Sequence, residues 1–198
     1  AYRPHGPLGD VFHSLLLEDE VFEEVLMNPV RLALATYLVG YNAVMSSIGC
    51  WIKGPGGSYL AMHADNSLPS PLPAQAIGCQ TTYWLTDFTR ENGSTAVVPG
   101  SHKLGWLEDE NDGGHIQPIE KYPVEKGTPC PAEAGDVLFF TYQTIHGSGL
   151  NTSNEARTTL LIQMRDPTDL PTKQVHLSKG QGMMLRGVDP LSHAGVSV

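Results

Sequence analysis

A chain of 198 residues with 40% hydrophobic and 17% charged side chains has the size and composition of one globular domain around a single core. Twelve Lys and Arg against twenty-one Asp and Glu leave a formal charge of −9, which removes the electrostatic footprint that nucleic acid or an anionic membrane surface requires. Three cysteines without CxxC spacing, Cys50, Cys79 and Cys130, argue against a disulfide scaffold or thiolate zinc site and for a reducing, cytoplasmic setting, and no apolar run approaches the ~20 residues of a membrane span.

The opening AYRPHGPLGD has neither an apolar signal core nor an initiating Met, so a trimmed N-terminus is expected. Residues 1–40 hold the helical signal. Acidic Glu18, Asp19 and Glu20 precede an apolar stripe of Val21, Phe22, Val25 and Leu26, and Pro29 suits the first position of a second helix, Val30 to Val39, capped by Gly40. Beyond Gly40 the texture changes to short β-type runs between turn residues; 21 Gly and 15 Pro are about 18% of the chain against an average near 12%. Strands are predicted at Tyr41–Lys53, Ser58–Asp65, Ala76–Asp87, Ser94–Val98, Asp136–His146 and Arg157–Met164, the last two joined as a hairpin. Residues 102–134 are polar and long for a loop, the pattern of a lid or active-site arm, and the tail 166–198 reads as irregular.

Three side chains have the character of metal ligands. Residues two apart on a strand share a face, so His63 and Asp65 of MHADN can reach one ion, and His146 of TIHGSG can supply a third ligand. Two imidazoles and one carboxylate on one side of an octahedral ion leave positions open for chemistry, as in non-haem Fe(II) oxygenases. Alone the His-x-Asp pair is weak, since roughly 0.4 such pairs arise by chance in a chain of this composition. Ser148 shares the parity of His146, and Arg157 opens the next strand; a guanidinium beside a hydroxyl grips a carboxylate. An isolated Arg157 would more often pair with an acid such as Glu155, with Arg165 as the fallback anchor. His102 reads as a turn-capping or packing residue, and His115 as the histidine of the arm best placed to face substrate.

The set His63-Ala64-Asp65, Glu91-Asn92-Gly93, Pro99-Gly100-Ser101-His102, Ala134-Gly135-Asp136 leading into His146, and Ser148 with Arg157 eleven residues after His146 resembles the phytanoyl-CoA dioxygenase-like family, over about residues 18–188. The resemblance implies a mostly β, double-stranded β-helix (jelly roll, cupin-like) with N-terminal helices packed on it, a single domain over 1–198 with its jelly-roll core at 41–165. It implies Fe(II) held by His63, Asp65 and His146, and 2-oxoglutarate held at its distal carboxylate by Arg157 and Ser148. It also places Thr82 as a further co-substrate contact, with Gln80 and Trp84 on its strand face. Leu60 departs from the Gln frequent three residues before the first ligand in some branches. The implied activity is O2-dependent hydroxylation or other oxidation of a small organic molecule, releasing succinate and CO2. Asp65 argues against halogenation, since halogenating relatives carry Gly or Ala there. A non-redox cupin-like isomerase or hydrolase and a non-catalytic ligand-binding jelly roll are the rival readings; neither gives Arg157 and Ser148 a purpose. Few cations, Lys103, Lys121 and Lys126, stand in the arm, which favours a free acid, amine or natural-product intermediate over a CoA thioester.

Overall fold

The computed structural model describes residues 9–65, 68, 73–104, 120–168 and 179–188. Trp106, the acidic run Glu108–Asp112 and His115 lie outside these residues.

The two helices form where local chemistry dictates. In α1 (Val21–Leu26) the Asp19 carboxylate accepts from the Val21 N–H at 2.9 Å, and in α2 (Pro29–Val39) the Asn28 side chain accepts from Val30 and Arg31 N–H at 3.0 and 3.2 Å, satisfying donors that a helix start leaves open. Gly40, at φ +109°, ends α2 in a conformation that side chains disfavour.

The strands among the described residues are β1 (Asp10–Phe12), β2 (Ala43–Lys53), β3 (Leu60–His63), β4 (Gly78–Trp84), β5 (Thr95–Val97), β6 (Thr128–Pro129), β7 (Val137–Thr141), β8 (His146–Ser148), β9 (Arg157–Arg165) and β10 (Met184–Arg186). They build two antiparallel sheets. The larger runs β1-β2-β9-β4-β7 with β10 also on β2, and the smaller runs β3-β8-β5-β6. The chain is mostly β and has the jelly-roll architecture.

Four features depart from the sequence expectations. The run 136–146 is not one strand: β7 pairs with β4 in the larger sheet, the chain turns at 142–145, and β8 opens in the smaller sheet. The turn is pinned by Ile145 N–H donating to Ser101 Oγ at 2.8 Å and by Val98 N–H donating to the Ile145 carbonyl at 2.8 Å. In consequence β8 and β9 are not a hairpin; the loop between them crosses from one sheet to the other. The far end of the 102–134 stretch is built into the smaller sheet, where β6 pairs with β5 and Val124 is buried, and the tail contributes β10.

Alternation along the strands separates two environments. One face of the larger sheet presents Met45, Ile48, Cys79, Leu160, Ile162 and Met164 to Leu26, Leu32, Ala35 and Val39 of the helices, and this is the main apolar core. The other face, which looks between the sheets, carries Ser47 and Lys53 of β2, Gln80, Thr82 and Trp84 of β4, and Arg157, Thr159 and Gln163 of β9, all buried. A second, smaller apolar cluster of Met62, Ala96, Val124 and Ile145 belongs to the smaller sheet. So many buried polar groups on one interior surface require either mutual hydrogen bonds or a polar guest.

Candidate active site

His63 ends β3 and His146 opens β8, and the two are direct partners in the antiparallel register, with ring centroids 4.3 Å apart. Gly147 makes this approach possible: a Cβ there would stand 2.5 Å from the Leu60 carbonyl oxygen. Asp65 arrives differently from the sequence expectation. Strand β3 ends at His63, so the shared face of a strand does not align Asp65; a bend does, fixed by Asp65 N–H donating to the Tyr142 carbonyl at 3.0 Å. The ligand atoms of His63, Asp65 and His146 all lie within 4.8 Å of one another, with His146 Nε2 4.0 Å from Asp65 Oδ1.

The protonation pattern suits a cation. Each histidine donates its Nδ1–H to the carbonyl two residues upstream, His63 to Ala61 at 2.8 Å and His146 to Thr144 at 3.0 Å, which leaves the Nε2 lone pairs as ligands. Burial drives the His146 imidazolium down to about 4, keeping that ring neutral and able to ligate, and pushes the Asp65 carboxyl up to about 6. Asp65 Oδ2 is buried and has no hydrogen-bond partner among the described residues. A neutral His146, a second imidazole whose Nδ1 is engaged, and a buried carboxylate oxygen unsatisfied among the described residues fit a divalent ion with N and O preference.

Arg157, 5% exposed, opens β9 of the larger sheet, on the face that looks toward the smaller sheet and its two histidines. Its Nε donates to the Asn92 carbonyl at 3.2 Å, its guanidinium stacks 4.6 Å from the Phe88 ring centroid, and among the described residues it meets no carboxylate, Glu155 included. Burial lowers its pKa to about 10. Phe88 in turn packs on Trp84 at 5.3 Å. Ser148 follows His146 on β8 at the same parity, 4% exposed.

Gln80 and Thr82 do share a buried face with Trp84, but each is already engaged. Ser47 Oγ donates to Gln163 Oε1 at 2.9 Å, Gln163 Nε2 to Gln80 Oε1 at 3.0 Å, and Gln80 Nε2 to Thr82 Oγ1 at 3.4 Å. Gln163 also hydrogen-bonds the Asp65 carboxyl and helps to hold it ionised. His102 sits in a single 3-10 turn, Ser101–Lys103, where Ser101 rather than His102 makes the anchoring contact.

The residue that sequence reasoning missed is Lys53. Its Nζ donates to Ser148 Oγ at 2.6 Å, to the Ser58 carbonyl at 2.8 Å and to the Gly149 carbonyl at 2.9 Å, and burial followed by the neighbouring Arg157 charge lowers its pKa to about 7. Its parity was the available signal, since Lys53 alternates with Ser47 and Gly49 on the interior side of a strand too apolar to be an edge.

Sequence comparison matches residues 4–159 to the profile described as phytanoyl-CoA dioxygenase. The chain is 32% identical over 188 residues to dioxygenase af480 of Aspergillus fumigatus, covering 91% of this chain and 58% of that protein. It is 31% identical over 121 residues to phytanoyl-CoA dioxygenase 1 of Oryza sativa subsp. japonica, covering 58% and 42%. The chain thus spans under two thirds of the length of these relatives. Among solved structures, the epimerase SnoN in complex with Fe3+, alpha ketoglutarate and nogalamycin RO superposes with a TM-score of 0.67 at 23% identity, covering 84% of this chain and 67% of that one, a likeness of fold. AviO1 from Streptomyces viridochromogenes gives 0.64 at 25% identity, covering 87% and 74%. Profile match, identity to curated dioxygenases and shared jelly roll agree: the chain belongs to the phytanoyl-CoA dioxygenase family.

Proposed function

We propose that this protein is an Fe(II)- and 2-oxoglutarate-dependent oxygenase that hydroxylates, or otherwise oxidises, a small organic molecule and releases succinate and CO2. The observation that carries the reading is the convergence of His63, Asp65 and His146, facing a sheet surface on which Arg157 is buried with no acid partner among the described residues. His63 Nε2, His146 Nε2 and the Asp65 carboxylate would hold the metal, which when bound supplies O2 activation and the oxidising power that side chains lack. The carbonyls of Ala61 and Thr144 fix the ring orientations, and Gln163 orients the carboxylate. Arg157 and Ser148 would anchor the distal carboxylate of 2-oxoglutarate, the guanidinium by its paired N–H groups and the serine by its hydroxyl. Phe88, backed by Trp84, lays apolar surface against the guanidinium, which excludes water and would strengthen that ion pair. Gln80 and Thr82 would line the co-substrate chamber through their hydrogen-bonded chain with Gln163.

The test is spectroscopic. Anaerobic protein with Fe(II) and 2-oxoglutarate is expected to show a weak visible charge-transfer band that His146→Ala removes, and a screen of small acids, amines and natural-product intermediates is expected to find one that stimulates succinate release. An iron-loaded, folded protein without the band refutes the reading.

A further inference from the structure

Among the described residues Lys53 is the one buried ammonium, 4% exposed at the end of β2. The fold makes room for it deliberately: at Gly57 a Cβ would stand 2.5 Å from Lys53 Cγ, so only a glycine lets the aliphatic stem lie against the β2–β3 turn. Across the β2–β9 pair its register partner is Arg157, so two buried cations stand directly opposite each other. Like charges so placed repel, and no carboxylate among the described residues offsets them. The arrangement is one that an anion completes.

The proton count decides how Lys53 takes part. An ammonium has three N–H donors and no acceptor, and all three are committed, to the Ser58 carbonyl, the Gly149 carbonyl and Ser148 Oγ. No proton is left for a guest. The Ser148 hydroxyl, in contrast, has one proton and two lone pairs. Facing a group that can only donate, it accepts at 2.6 Å and must turn its own proton elsewhere; among the described residues nothing accepts it. A buried hydroxyl with its oxygen pinned and its proton unclaimed is a preset donor, and the lysine that pins it is the register partner of Arg157. The same lysine fixes the serine's position as well as its polarity. Its carbonyl accepts from Asn151 Nδ2 at 3.2 Å, while Asn151 N–H donates to the Gly57 carbonyl at 2.9 Å and Gly56 N–H to the Asn151 carbonyl at 2.8 Å, which ties the β8–β9 loop to the β2–β3 turn.

We infer that Lys53 is a positioning residue for the co-substrate: by occupying the Ser148 oxygen as a donor, it compels the Ser148 hydroxyl to donate to the distal carboxylate gripped by Arg157, without touching that carboxylate itself. The inference rests on the oxygenase reading above and adds to it a residue, a direction of hydrogen bonding and a reason why the second anchor is a serine.

The experiment measures binding, not turnover, in Mn(II)-loaded protein by titration calorimetry, with 2-oxoglutarate and with 2-oxopentanoate, which keeps the chelating end and lacks the distal carboxylate. Lys53→Met is expected to weaken 2-oxoglutarate about 10- to 100-fold, the range for a lost hydrogen bond to a charged group, and to leave 2-oxopentanoate within about twofold of wild type. Ser148→Ala is expected to weaken 2-oxoglutarate about tenfold, and the double variant to bind it within about threefold of Lys53→Met, since the two act in series. Lys53→Gln, with a neutral amide on a similar stem, serves as the second variant and is expected to behave like Lys53→Met. Unchanged 2-oxoglutarate affinity in either lysine variant overturns the inference, as does equal weakening of both oxo acids, which marks a merely structural role, or multiplicative effects in the double variant, which mark direct contact. Wild-type protein that binds neither oxo acid overturns the oxygenase reading instead.

Discussion

His63 and His146 are held as a register pair across β3 and β8, and the residue that allows it, Gly147, has no room for even one methyl group against the Leu60 carbonyl. Gly147→Ala is therefore expected to push the two strands apart and to separate the imidazoles. Overpacking against an unyielding backbone costs about 2 kcal/mol, or a fall in Tm of about 4–8 °C in a chain of this size. Metal affinity is expected to drop at least tenfold. Thermal melting and divalent-metal titration check both, and a variant with wild-type affinity would remove Gly147 from the account.

Asp65 carries a buried carboxylate with one orphaned oxygen, which a metal would satisfy. Asp65→Asn keeps the shape and removes the charge. Without metal the variant is expected to melt no lower than wild type, whereas Mn(II) or Fe(II) raises the wild-type Tm and leaves the variant where it was. Melting curves with and without metal read this directly.

Among the described residues Arg157 has no acid partner, and a guest carboxylate would supply one. With metal present, 2-oxoglutarate at about 100 times its Kd is expected to stabilise the wild type by about 2.7 kcal/mol, a rise of roughly 5–10 °C. Arg157→Met is expected to abolish the rise. Arg157→Lys is expected to recover only part of it, because an ammonium cannot offer the paired donors of a guanidinium.

The pH dependence of co-substrate binding follows from Lys53. The groups that face it are the Arg157 guanidinium on β9, the Ser148 hydroxyl and Gly149 carbonyl at the end of β8, and the Ser58 carbonyl of the turn. In the free protein burial, and then the Arg157 charge, lower its pKa from 10.5 to about 7, so the ammonium is about half deprotonated there. A dianion nearby favours the protonated form. Binding above pH 7 must then take up a proton, and affinity for 2-oxoglutarate is expected to fall as pH rises past about 7. Calorimetry in two buffers of different ionisation enthalpy measures the uptake; Lys53→Met is expected to show none.

Arg31 gives a test of the fold rather than the site. It is 2% exposed beneath α2, its Nη1 donates to Met164 Sδ, and Nε and Nη2 have no partner among the described residues. Burial lowers its pKa, with only Tyr83 and Cys79 nearby to oppose the effect. A buried charge so poorly satisfied destabilises, so Arg31→Leu is expected to raise Tm by a few degrees. A lower Tm would mean that an acid outside the described residues pairs with it.

Local chemistry made much of this legible from sequence. The acidic run before Val21, Pro29 and Gly40 marked the helices, and residue type singled out His63, Asp65 and His146, which the fold brings together, with Arg157 and Ser148 as candidates beside them. Tertiary decisions were not local. DVLFFTYQTIH has the composition of one strand, yet the pinning of Ile145 by Ser101, 44 positions away in sequence, breaks it into β7 and β8 in different sheets. Asp65 looks like a strand residue because alternation says nothing of the bend that Tyr142 imposes. Lys53 entered only as the end of a strand before a Gly-Pro-Gly-Gly turn; the carbonyls that receive its buried charge come from Ser58 of that turn segment and from Gly149 of the β8–β9 loop, which no local pattern joins.

The larger sheet puts its apolar side chains against the helices and its polar ones between the sheets. Odd and even positions of a single strand such as β9 are thereby under separate demands: Leu160, Ile162 and Met164 pack the apolar core, while Arg157 and Gln163 are buried polar groups facing the candidate site. Descendants of this chain can exchange the second set for new specificity while the first is untouched, so that one scaffold accommodates divergent reactions without first having to be rebuilt.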